Sequence, residues 1–127
     1  MLPSELPVMA MKAIRFLRSF GFAASGIKAA LRSEQNIRFH FTAALIVIIA
    51  GFLTGLSLFE WIVIVLVIGG MLAFEMFNSS MERIVDLASP DLHPLAKQAK
   101  DMAAGAVLVF AIASAIIGLL IFLPKWF

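Results

Sequence analysis

Three apolar runs, from about Phe39 to Leu58, Trp61 to Phe77 and Met102 to Leu123, occupy most of this chain. Each is close to the roughly twenty residues that a helix needs to cross the hydrocarbon layer of a bilayer. No water serves the backbone N–H and C=O groups in that layer, so a spanning segment must satisfy them internally, as a helix does. The second run continues as a more polar helix to Leu87. The expected fold is an all-α membrane protein, a single domain over 1–127, with an N-terminal surface helix over about 8–32 and transmembrane helices over about 38–58, 60–87 and 101–123. Composition agrees: of the 127 residues, 62% are hydrophobic and 14% charged, whereas water-soluble domains carry about 25% charge. There is no cysteine, which removes disulfides, thiolate metal sites and thiol nucleophiles. A three-helix unit buries little polar surface alone, so an oligomer is expected.

Polar residues break into the second run. Glu75, Asn78, Glu82 and Asp86 follow one another at intervals of three, four and four residues. At about 100° per residue, Glu82 and Asp86 lie within roughly 20° of Glu75 around a helix, and Asn78 within roughly 60°. An acid in a membrane segment is costly, so it normally faces a protein interior and marks a functional site. Three carboxylates and an amide on one line point to a cation site.

Basic residues set the orientation. Lys12, Arg15, Arg18, Lys28, Arg32 and Arg38 precede the first span, and Arg83, Lys97 and Lys100 lie between the second and third. The short first connection, around Gly55 to Glu60, has none, and the C-terminal end has only Lys125. By the positive-inside rule the N-terminus and second connection are cytoplasmic and the C-terminus outside, with Trp61 and Trp126 at the outer interface. The second connection, about Ala88 to Lys100, carries the turn signal Ser89-Pro90-Asp91, and Pro94 is expected to start a short helical stretch. No cleavable signal peptide is visible. In the segment from about Val8 to Arg32, Met9, Ala13, Phe16 and Phe20 share one face, while Lys12, Arg15 and Ser19 take another. A basic amphipathic helix of this kind lies on an anionic leaflet; Gly21 and Gly26 are places for a bend or a close approach.

Several motifs lead nowhere. Gly21 to Lys28 approximates a phosphate-binding loop, but the lysine comes one place late, no Ser or Thr follows it and no strand precedes it. Gly51-x-x-x-Gly55 matches the close-packing signature of membrane helices. His40 and His93 are too isolated for a metal site and read as satisfied interfacial histidines. Nothing in the sequence reads nucleic acid.

The expected topology brings Glu75 to Asp86, Arg32 to His40 and Lys97 to Asp101 to one cytoplasmic interface, where Glu34 and Glu82 meet. Two carboxylates plus water suit Mg²⁺, which takes few protein oxygens and fills its shell from substrate phosphates. With Lys100 at the same depth, the set fits phosphoryl transfer: metal and lysine offset phosphate charge, and a carboxylate accepts the proton of an attacking hydroxyl. The competing structural explanation is pairing of the acids with Arg38, Arg83 or Lys97 to orient helices.

At these residues the chain resembles the small bacterial integral-membrane lipid kinases, which include diacylglycerol kinase and undecaprenol kinase. The resemblance rests on Arg32-Ser-Glu34-Gln-Asn36-Ile-Arg38-Phe-His40, on Glu75-Met-Phe-Asn78-Ser-Ser-Met-Glu82-Arg-Ile-Val-Asp86, and on His93-Pro-Leu-Ala-Lys97-Gln-Ala-Lys100-Asp101-Met-Ala-Ala-Gly105-Ala. It implies a homotrimer with active sites shared between subunits, in the bacterial inner membrane. By motif position it makes Glu75 the catalytic base, in contact with the lipid together with Lys100. Glu34 and Glu82 become metal ligands that also face the nucleotide, and Asn78, Lys100 and Asp101 surround its phosphates. Arg38 and Asp86 take supporting roles, and Phe22 stands where the diacylglycerol branch tends to carry a tyrosine near the adenine. ATP with Mg²⁺ arrives from the cytoplasm and the lipid alcohol from the bilayer.

The stretches from Glu34 to His40 and from His93 to Lys97 look more like the undecaprenol kinase branch, so undecaprenol is the expected acceptor and diacylglycerol the alternative. The branch's usual Asn-Thr-Ala-Ile-Glu is here Asn78-Ser-Ser-Met-Glu82, which keeps the polar ends and changes the residues between them. A small oligomeric ion channel or transporter is a second reading of the same acids. It would need polar residues at several depths, and the first and third spans offer few beyond Thr42, Thr54, Ser57 and Ser114. A non-catalytic assembly protein is a third.

Overall fold

The computed structural model describes residues 2–127. They form four helices: α1 (Leu6–Ser33), α2 (Gln35–Thr54), α3 (Leu58–Ala88) and α4 (Pro94–Trp126). α1 belongs to one compact unit, and α2, α3 and α4 make up a second, Glu34–Phe127.

α1 runs 28 residues without a break, through Gly21 and Gly26. The stretch that approximates a phosphate-binding loop is therefore helix. Phe16 and Phe20, one turn apart, meet edge to face with ring centres 5.2 Å apart, which places them on one side, as their spacing requires.

In the second unit, α2, α3 and α4 are each long and apolar enough to cross a membrane. Their bounds differ from those expected at both ends, for identifiable reasons. α2 and α3 are joined by residues 55–57 only. Gly55 ends α2 in the left-handed region (φ 79°), its N–H donating to the Gly51 carbonyl at 3.0 Å; a glycine adopts this conformation without the Cβ penalty. Ser57 then starts α3 through a capping box: Glu60 N–H donates to Ser57 Oγ at 3.2 Å, and Ser57 N–H to Glu60 Oε1 at 3.0 Å. Gly51 leaves room for the Trp61 ring, which would stand 2.7 Å from a Cβ there. The glycine pair that matched a helix-packing signature thus serves the hairpin, one glycine admitting a tryptophan and the other making the turn.

The second connection is shorter than expected. Pro94 begins α4 itself, because proline suits the first helical turn, His93 Nδ1 accepts from Leu95 N–H at 3.1 Å as the cap, and Lys97 and Asp101 pair one turn apart. α3 packs chiefly against α4, then against α2. Phe110 lies over Gly70, where its ring leaves no room for a Cβ, and against Phe74 with ring centres 5.1 Å apart. At the turn end, Lys125 reaches Glu60 at 3.0 Å and Trp126 Nε1 donates to Thr54 Oγ1 at 2.9 Å, fastening α4 to the α2–α3 hairpin.

At 1.5 Å per residue α2 is about 30 Å long, whereas α3 and α4, of 31 and 33 residues, reach about 46 and 50 Å. α2 alone matches a hydrocarbon layer of about 30 Å; the excess of α3 and α4 is polar and lies opposite the turn. The outward faces are apolar, with Phe52, Leu53, Leu58, Leu66 and Leu120 exposed, while the few buried side chains include Ile37, Ile64, Met71 and Phe122 together with Glu75 and Ser79. Such a surface suits lipid or another copy rather than water.

Gly70→Ala should lower the thermal stability of the purified protein by about 1–3 kcal/mol, as overpacking does. Combined with Phe110→Leu, the loss should be smaller than the sum of the two single losses; strict additivity in unfolding measurements would show that Gly70 is not there to admit the ring.

Candidate active site

Most of the charged residues of the second unit lie toward the end away from the hairpin turn, the Glu60–Lys125 pair excepted. Glu34, the residue before α2, has extended backbone (φ −112°, ψ 112°) and its side chain makes no capping bond. The carboxylate turns instead to α3, where Arg83 Nη2 lies 3.2 Å from Oε1. One turn further into the bundle than Glu82, Asn78 holds a buried Oδ1 with no hydrogen-bond donor. Glu75, only 4% exposed, is paired across to α2: Nε2 of His40 is 3.1 Å from its Oε1. On α4, Lys100 Nζ bonds Asp86 Oδ1 at 2.7 Å, and Lys97 pairs with Asp101.

Two cavities flank this arrangement. A polar one of about 440 Å³ is lined by Glu82, Asp86, His93, Lys97, Lys100 and Asp101 among others. An apolar one of about 350 Å³ starts at Phe39 and His40 and runs along Ala44, Met71, Ser114 and Gly118. Glu75 stands on α3 one turn beyond Met71 of the apolar cavity and two turns before Glu82 of the polar one.

The line of acids does not converge on one point. Among the described residues, no three His, Asp or Glu side chains stand close enough to enclose an ion. Eleven residues separate Glu75 from Asp86, about 16 Å along a helix, so a shared face gives a row and not a cage. Each acid of the row has gone to a different neighbour where a partner is identified, Glu75 to His40 and Asp86 to Lys100. Glu34 reaches the residue next to Glu82 in the chain, and Glu82, Asp86, Lys100 and Asp101 share one cavity. Arg38 stands on the first turn of α2. Phe22 belongs to α1, in the other unit, and is exposed. Asn78 Oδ1, a buried acceptor lacking a donor about one turn from Glu75 and from Glu82 along α3, fits a hydrated hard cation, whose bound water supplies such a donor.

His40 is the residue the sequence reading missed as a member of the site. Positions 40 and 75 are nearly equidistant from the turn at 55–57, so an antiparallel hairpin sets them at one depth; that count was the available signal. His93, by contrast, caps α4, with Nδ1 accepting from the Leu95 N–H.

Comparison with known proteins extends this picture. The family described as prokaryotic diacylglycerol kinase matches residues 21–122. The undecaprenol kinase of Bacillus subtilis (strain 168) is 56% identical over 111 residues, 87% of this chain and 90% of that one. A diacylglycerol kinase of a Synechocystis species is 38% identical over 85% of this chain and 62% of its own length. The diacylglycerol kinase of Escherichia coli (strain K12) is 28% identical over 80% and 84% respectively. The match runs from the later part of α1 through α2 and α3 and along α4 to residue 122, and takes in the buried carboxylate and the polar cavity: this chain belongs to the prokaryotic diacylglycerol kinase family of membrane lipid kinases.

Proposed function

We propose that this lipid kinase transfers the γ-phosphoryl group of ATP to undecaprenol, with Glu75 as the general base. The observation that carries the reading is the position of Glu75, a buried carboxylate on α3 between an apolar cavity and a polar one. A lipid alcohol needs the first for its chain, a triphosphate needs the second, and the hydroxyl proton must leave where the two meet. Undecaprenol is favoured over diacylglycerol by the higher identity to the undecaprenol kinase.

Glu75 accepts the proton as the hydroxyl oxygen attacks the γ-phosphorus, so the nucleophile gains charge as it bonds. Lys100 and Asp101 face the phosphates, with Asn78 donating through its amide N–H₂, and Arg38 and Asp86 support them. Lys100 leaves Asp86 to do so. The carboxylates of Glu34 and Glu82 would hold Mg²⁺. When bound, that ion offsets charge on the phosphates. Phe22 takes a place near the adenine. The active form is a homotrimer in the bacterial inner membrane, for which the exposed apolar faces of α2, α3 and α4 supply contact surface. Its N-terminus and polar end are cytoplasmic and its C-terminus outside, with α1 along the inner leaflet.

The channel reading loses support at the four hydroxyls it needed. Thr42 donates to the Arg38 carbonyl at 2.9 Å and Ser114 to the Phe110 carbonyl at 2.7 Å. Thr54 receives Trp126 and Ser57 caps α3. All four make hydrogen bonds within the protein.

Purified protein in vesicles, given ATP, Mg²⁺ and undecaprenol or diacylglycerol at equal surface concentration, should phosphorylate undecaprenol faster. Faster turnover of diacylglycerol would reverse the lipid assignment, and phosphate on neither lipid together with ion flux would favour a conducting oligomer. Glu75→Gln should lower kcat by about 10²- to 10⁴-fold while nucleotide binding persists; near-normal turnover would remove Glu75 as the base. Glu82→Ala should instead raise the Mg²⁺ concentration needed for half-maximal rate by about tenfold or more, and an unchanged metal dependence would count against its ligand role.

A further inference from the structure

Nε2 of His40 lies 3.1 Å from Oε1 of Glu75, and the Glu75 side chain is 5% exposed against 21% for the imidazole. An ionised carboxylate only accepts hydrogen bonds, so the nitrogen facing it carries the hydrogen. Burial strips a carboxylate of water, and a buried acceptor without a donor is far more costly than one that keeps a partner. The two oxygens of Glu75 are thereby made unequal. Oε1 faces the imidazole, so a hydroxyl would be received at Oε2. The same bond limits rotation about the last torsion of the glutamate, which is otherwise broad.

The imidazole is itself well placed to do this. It stands on α2 and not on a loop, and the Phe39 ring meets it edge-on with centres 5.5 Å apart. The hairpin sets both backbones, so the separation is built in before any substrate arrives. His40 also lines the apolar cavity, on the side from which a lipid alcohol would come.

We propose that His40 is a positioning residue for Glu75: its Nε2–H holds Oε1 and leaves Oε2 to receive the proton of the lipid hydroxyl. This rests on the reading of Glu75 as the base. The hydroxyl O–H bond breaks and its proton goes to Oε2, the oxygen bonds the γ-phosphorus, and ADP leaves with the electron pair of the broken P–O bond. His40 keeps its own proton throughout.

Wild type, His40→Leu, His40→Gln and Glu75→Gln are compared as full chains in undecaprenol vesicles with ATP and Mg²⁺. Losing a hydrogen bond to a charged group should lower kcat in His40→Leu by about 10- to 100-fold, with the KM for ATP within about twofold. The amide N–H of His40→Gln can still reach Oε1 and should restore most of the rate. A kcat within about threefold of wild type in His40→Leu, or His40→Gln as slow as His40→Leu, overturns the proposal. Solid-state NMR of ¹⁵N-histidine wild type gives a readout that needs no His40 variant to fold. A hydrogen on His40 Nε2, with a resonance that shifts in Glu75→Gln, supports the proposal, and a bare Nε2 sinks it. An inactive wild type or an active Glu75→Gln would instead mean that the base assignment itself has failed.

Discussion

A connection of three residues leaves α2 and α3 no freedom to slide past each other, and the rest of the second unit follows from that. Gly55 turns the chain, the reciprocal bonds of Ser57 and Glu60 start the next helix at once, and Trp61 settles against Gly51. From this fixed origin each step along α2 is matched by a step along α3. His40 comes opposite Glu75, and further on Glu34 comes opposite Arg83. Glu60 then does a second task by binding Lys125, so the residue that caps α3 also secures α4. A buried carboxylate is thus held in register by groups placed at the other end of the bundle.

Length separates the two environments that the chemistry requires. α2 ends where a hydrocarbon layer would, and α3 and α4 continue for several turns with charged and polar side chains. Glu75 falls just short of that boundary. Its neighbours toward the turn are apolar, and those beyond it are Asn78, Glu82 and Asp86. Under the proposed function, a hydroxyl carried on a hydrocarbon chain and a phosphate carried in water would approach the same carboxylate at such a level. The family relationship is consistent with this division, since its members are named for lipid alcohols.

Much of this was legible in the residues. Apolar runs of bilayer length pointed to three helices long and apolar enough to span, and the period of Glu75, Glu82 and Asp86 pointed to a shared face of α3. Sharing a face is an angular property and says nothing of distance along the axis, so the spacing alone could not show that Glu75 pairs with His40 and Asp86 with Lys100. The start of α4 was placed late because the polar residues from Pro94 to Lys100 were read as connection, although proline at a first turn and an i,i+4 ion pair are helix-starting features. The partnership of His40 was missed because an isolated histidine has no local signal; only counting outward from the turn brings it to Glu75.

Lys100 and Asp86 already neutralise each other across the mouth of the polar cavity. An anion drawn to Lys100 must trade places with the Asp86 carboxylate, whose side chain is already 65% exposed while paired. Such an exchange gives up part of the attraction on arrival and recovers it on departure. The occupied and vacated sites are thereby brought closer in free energy, so that under the proposed function an anionic product bound there would leave more readily.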